Sequence, residues 1–123
     1  MKGFKFRVWE EREKEYDTWP YILDDSGNLF RNAYGALIEC DKKDYIIEQY
    51  TGLKDKNGKE IYEGDVVNIQ GIKYYVDFEH GGFWFNNDNR KWKANRPFTH
   101  FQEINDTEVV GNIHENADLL GDK

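Results

Sequence analysis

Four carboxylates fall close together in QYTGLKDKNGKEIYEGDVV, from Gln49 to Val67: Asp55, Glu60, Glu63 and Asp65. Paired carboxylates can act as general acid and base, or can hold a divalent metal, at separations set by the fold. That chemistry would make the protein a carboxylate-dependent hydrolase working through Glu63 and Asp65. A plainer account competes with it. Gly64 frees the backbone at a sharp turn into a strand, and an aspartate there bonds neighbouring amides. On that account Gly64 and Asp65 are structural, as is the Asn57-Gly58 pair, a dipeptide suited to a type I′ hairpin turn because both residues tolerate positive φ. Asp55, Asn57 and Gly58 do not meet the ligand spacing of a calcium loop.

Other reactive types are sparse. Asp24 and Asp25 are adjacent in YILDDSGNL, where Gly27 supplies the positive φ of a tight turn, and neighbouring turn residues rarely converge on a metal. His80, His100 and His114 lie 20 and 14 residues apart, without a Cys pair or H-E-x-x-H, which argues against zinc. The single Cys40 has no readable catalytic partner, cannot close an internal disulfide and suits a reducing compartment. Neither a phosphate-binding Gly-rich loop nor a G-x-S-x-G elbow occurs. The expectation is a non-enzymatic protein with no catalytic residue, no metal and no cofactor.

The richest binding candidate is NRKWKANRPF, where Arg90, Lys91, Lys93 and Arg96 surround Trp92. Cations neutralise phosphates while an indole stacks on an unpaired base, the combination used by single-strand nucleic-acid binders. Overall charge opposes it. Aspartate and glutamate number 24 against 17 lysines and arginines, a net charge of -7 that repels phosphate at long range. The competing account is a solvated loop with Trp92 folded back onto the protein.

The 123 residues suffice for one compact domain, or for a small domain with an accessory segment. Hydrophobic residues make up 38% and aromatics 16%, so the expected core has few residues but many rings. That aromatic share also argues against disorder. No apolar run reaches about 18 residues and the first residues lack a signal-peptide core, so no membrane span is expected and the location is cytoplasmic.

Strand periodicity dominates the elements that position these residues. FKFRVW alternates Phe4, Phe6 and Val8 against Lys5, Arg7 and Trp9, whereas EEREKEY is charged all round and reads as a loop or one helical turn. YILDDSGNL reads as a hairpin, and Ala33 to Tyr50 as a strand pair bridged by the DKKD turn. After Gly64-Asp65 come VVNIQ, a turn at Gly71, IKYYVDFE with Ile72, Tyr74, Val76 and Phe78 toward the core, a turn at His80-Gly81-Gly82, and FWF. TEVVGNI is a further strand, and HENADLL a terminal helical turn with Leu119 and Leu120 docked. Short strands with turns every eight to ten residues predict a small all-β barrel or roll.

YTGLKDKNGKEIYEGDVV resembles the signature of the YopX family of phage and prophage proteins. KFRVW near the start and EVVGNIHENADLL near the end resemble its flanking blocks, in the same order. The resemblance implies a mainly β protein encoded by phages and prophages of Gram-positive bacteria, with a small SH3-like barrel in the C-terminal part and no enzymatic activity to carry over. Residues 1–48 would form a β-rich variable segment packed on the barrel of residues 49–123. The segment from Glu11 to Lys43 departs from the common pattern, as do His114 and Ala117-Asp118. The expected role is a binding or oligomerising module, pairing with its own copies or with a host protein. The single-strand binder and the hydrolase are the alternatives.

Overall fold

The computed structural model describes residues 5–18, 20–79, 82–87, 94–97 and 106–119. Their structure is almost wholly β. The strands are β1 (Phe6–Glu10), β2 (Glu15–Asp17), β3 (Tyr21–Leu23), β4 (Leu29–Ala33), β5 (Ala36–Glu39), β6 (Tyr45–Lys54), β7 (Glu60–Tyr62), β8 (Asp65–Ile69), β9 (Ile72–Glu79), β10 (Gly82–Asn87), β11 (Ala94–Pro97) and β12 (Thr107–Asn112), followed by a 3-10 turn at Ala117–Leu119. The chain divides into two compact units, Phe6–Glu48 and Met1–Lys5 with Gln49–Lys123, so β6 contributes to both.

In the unit Phe6–Glu48, β1 pairs with β2, and β3, β4 and β5 form a three-stranded antiparallel sheet. Val8, Leu29 and Cys40 are its buried centre, flanked by Phe6, Tyr21, Leu23, Tyr45 and Ile47. Alternation in FKFRVW assigns Trp9 to the polar side, but the structure buries it to 1% exposure. EEREKEY explains the change: Glu11 to Lys14 form a turn and Glu15 opens β2, which brings Tyr16 edge-on to Trp9 at 5.0 Å. The indole N–H, which needs a partner once buried, donates to Glu11 Oε1 at 2.8 Å. Buried Glu48 is likewise compensated, accepting Arg7 Nε and Tyr16 Oη at 2.8 Å each.

The expected DKKD turn forms, with Asp44 N–H donating to Asp41 O at 2.9 Å and Lys43 N–H to Asp41 Oδ1 at 3.1 Å. The strands it joins are not paired. β5 bonds to β4 and β6 lies beside β1, because the two-residue Tyr34-Gly35 turn has already folded β5 back on β4.

In the second unit, β11, β10, β9, β8 and β12 follow one another in a five-stranded sheet, and β7 pairs with β6. Ile61, Val67, Ile69, Tyr74, Val76 and Phe85 form the core, with Leu53, Phe83 and Val109 against it. Each such burial is worth about 1.5–3 kcal/mol, so this cluster is the unit's main cohesive element. Tyr74 and Val76 take the core positions expected of IKYYVDFE, while Ile72 and Phe78, at the strand's ends, remain exposed.

The turns distribute their geometry differently from the expected pattern. Asn57 has no positive φ. Only Gly58 does, at 83°, in a three-residue loop closed by Asp55 N–H to Lys59 O at 2.8 Å. Among the described residues, the two-residue turns with two positive φ angles are Gln70-Gly71, at 52° and 88°, and Tyr34-Gly35, at 55° and 81°.

Candidate functional site

Three of the four carboxylates of the central stretch, Asp55, Glu63 and Asp65, accept backbone amides. Asp55 is buried, at 6% exposure, at the start of its turn. Its Oδ1 accepts the amides of Asn57 and Lys59 at 2.9 Å, and its Oδ2 accepts the amide of Val109 in β12 at 2.8 Å. Burial pushes its carboxyl upward, but the Val109, Lys59 and Asn57 amides outweigh burial and hold it below the ordinary value. Asp24 in DDSGN repeats the local part of this arrangement. Its Oδ1 accepts the Ser26 and Asn28 amides at 3.0 and 2.7 Å, with Gly27 at φ 87°. The Asn28 amide is the main cause of its lowered carboxyl.

Asp65 Oδ2 accepts the Tyr62 amide at 2.8 Å. Gly64, at φ 89°, donates its N–H to Val76 O and accepts from Ile113 N–H, both at 2.8 Å. Glu63 Oε1 accepts the Gln49 amide at 3.2 Å. Glu60 Oε2 takes the Lys5 ammonium at 2.6 Å, a bond that lowers the carboxyl and raises the amine. Asp55, Glu63 and Asp65 thus each hold a backbone amide, and Glu60 holds a lysine. Among the described residues no three His, Cys, Asp or Glu side chains gather as metal ligands.

Arg90, Lys91, Trp92 and Lys93 lie outside the described residues, in the connection between β10 and β11. Arg96 is on β11, opposite Phe85 in β10. His80 and His100 also lie outside; the His114 amide donates to Asn112 Oδ1 at 3.0 Å in the turn after β12. Cys40 is buried, and desolvation raises its thiol.

Two features escaped the residue-by-residue reading. A polar cleft of about 300 Å³ in the first unit is lined by Glu10, Arg12, Glu13, Asp17, Arg31 and Tyr45. Its three carboxylates outnumber its two guanidiniums, so it does not favour phosphate. The second feature is β5, the edge of its sheet, exposed at all four residues. Leu37 and Ile38 keep 58% and 45% of their surface in solvent, Ile22 on β3 is also exposed, and Tyr34 is fully so. Pairing fixes which groups face outward. Cys40 N–H bonds to Leu29 O at 2.8 Å, and Ile38 and Ala36 lie opposite Arg31 and Ala33, so alternation turns the N–H and C=O of Leu37 and Glu39 away from β4. Consecutive Leu and Ile in AYGALIE read as core in isolation; only the sheet order reveals an unprotected edge.

Known proteins share this architecture. A protein from Enterococcus faecalis, EF1440, is 26% identical, with a TM-score of 0.66 over 98% of this chain and 100% of that one. The yopX protein of Bacillus subtilis is 20% identical, with a TM-score of 0.63 over the same shares. A search of curated proteins finds no match. The family described as YopX protein matches residues 5–121. With nearly the whole sequence covered, the chain belongs to the YopX family.

Proposed function

We propose that the protein is a non-enzymatic binding module of phage or prophage origin, acting in the host cytoplasm, that captures an extended strand along β5. The observation that carries this reading is the exposed β5 edge, with Leu37 and Ile38 in solvent and two outward N–H and C=O pairs. Such an edge is a template for strand addition, in which main-chain hydrogen bonds supply affinity and alternate side chains supply selectivity. The bonds from the Tyr62 amide to Asp65 and from the Gln49 amide to Glu63 support a passive role for the signature stretch, because they engage the two carboxylates that hydrolysis would use. The five-stranded order from β11 to β12, with one aromatic core, suits an SH3-like barrel in the C-terminal part. The phage origin is drawn from the family resemblance.

The test is titration with an eight-residue peptide of alternating valine and threonine, followed by amide chemical shifts. Saturable shifts centred on Leu37 and Glu39, abolished by Leu37→Pro, support the reading. Shifts elsewhere, or none at millimolar peptide, overturn it.

A further inference from the structure

We infer that the strand captured by β5 is the β5 of a second copy, paired antiparallel with Leu37 opposite its own counterpart. This rests on the edge-capture reading above and adds the identity of the occupant.

β5 lacks most of the protection usual at a sheet edge. Natural edges refuse their own kind with short length, lysine, proline, a bulge or clustered charge, and β5, at four residues, has only the first. β2 shows such protection, with Glu15 and Asp17 among its three residues. β5 is Ala-Leu-Ile-Glu, with regular pairing to β4 and one charge. The position of that charge selects the register. Glu39 opposite Glu39 would set like charges face to face, which is unfavourable in a strand pair. With Leu37 on the two-fold axis, Glu39 instead faces Gly35 of the second copy and Ala36 faces Ile38. The two Glu39 side chains then stand about 13 Å apart along the strands, beyond the screening length of about 8 Å at physiological salt.

The same register satisfies the hydrogen bonding. Leu37 turns both its N–H and C=O outward, so the two copies exchange both bonds at the axis, as an antiparallel hydrogen-bonded pair requires. It also completes an apolar patch. Ile22, Phe30 and Leu37 share one face of the β3–β4–β5 sheet, since Ile22 pairs with Phe30 and Leu37 stands diagonal to Phe30. Across the axis Leu37 meets Leu37, and the two three-stranded sheets become one of six strands. A two-fold contact of this kind closes, so it yields a dimer and not a fibre. Because each copy carries a charge of -7, added salt strengthens the dimer.

The experiment uses the full chain. Sedimentation from about 1 µM to 1 mM is expected to show a monomer–dimer equilibrium. Its dissociation constant should fall between 50 and 500 mM salt and rise at least tenfold in Leu37→Lys. Leu37→Cys should form a disulfide-linked dimer under mild oxidation, because antiparallel hydrogen-bonded Cα atoms about 5.5 Å apart lie within disulfide reach. The unaltered chain, with Cys40 buried, and Ile22→Cys should not. A monomer at every concentration with no preferential Leu37→Cys cross-link overturns the self-pairing inference. If the valine-threonine peptide still binds, edge capture stands and only the occupant is wrong. A dimer unaffected by Leu37→Lys likewise overturns the self-pairing, and edge capture falls only if the peptide also fails to bind.

Discussion

The carboxylate of Asp55 accepts the main-chain N–H of Val109 at 2.8 Å, although 54 residues separate them in sequence. One side chain thereby closes its own hairpin through the Asn57 and Lys59 amides and fastens that hairpin to β12. Asp55→Ala strips three amides of a charged acceptor and should cost about 2–4 kcal/mol in chemical denaturation. Asp24→Ala, at the similar turn lacking a third long-range bond, should cost clearly less.

The lowered Asp55 carboxyl makes this contribution pH-dependent. A carboxyl depressed by folding stabilises fully above its unfolded value, about 4, and the contribution is lost as pH falls through the folded value. The melting deficit of Asp55→Asn should therefore be largest at neutral pH and shrink steadily below about pH 4. A deficit that grows with acid would contradict the assignment.

Turn chemistry gives a sharper contrast. Gln70 holds φ 52° without being glycine, whereas Asn57 is under no such demand. Asparagine tolerates the left-handed region better than glutamine, so Gln70→Asn should stabilise by about 0.5 kcal/mol and Asn57→Ala should be neutral to within about 0.5 kcal/mol. Thermal melts of the two variants check the order.

Gly64 combines φ 89° with burial and two 2.8 Å backbone bonds. Gly64→Ala should cost about 2 kcal/mol or more, against about 1 kcal/mol at Gly58, because Gly64 is buried whereas Gly58 is exposed and a Cβ added there meets nothing within 4 Å.

Much of the β architecture is legible in short-range patterns. DDSGN and DKNGK announce hairpins because an aspartate followed by glycine three residues later closes a loop locally, and alternation in IKYYVDFE marks Tyr74 and Val76 as core. Strand partnership is less legible. β5 pairs with β4 because of Tyr34-Gly35, a turn that lacks the usual asparagine, and Trp9 is buried because β2 delivers Tyr16 to it. Neither fact is encoded within the strand concerned. The exposed edge was hidden for the same reason: Leu37 and Ile38 are ordinary core residues until the sheet order leaves them outermost. The basic aromatic segment offered stronger chemical cues, but Arg90 to Lys93 fall outside the described residues, and Arg96 is located only by its backbone pairing.

Cysteine reactivity adds a check on the first unit. Burial raises the Cys40 thiol and limits access to it. Alkylation at pH 7.5 should be at least tenfold slower in the folded protein than in denaturant. Equal rates would place Cys40 outside the cluster with Val8 and Leu29.

Pairing of β5 with the β5 of a second copy is tested most directly by amide hydrogen exchange at Leu37 and Glu39 across protein concentration. Exchange should be rapid near about 1 µM, and protection should rise together at both amides toward millimolar protein, with Leu37→Lys removing the rise. Exchange at Leu37 and Glu39 that stays rapid at every concentration, while the protein associates through other protected amides, would contradict it.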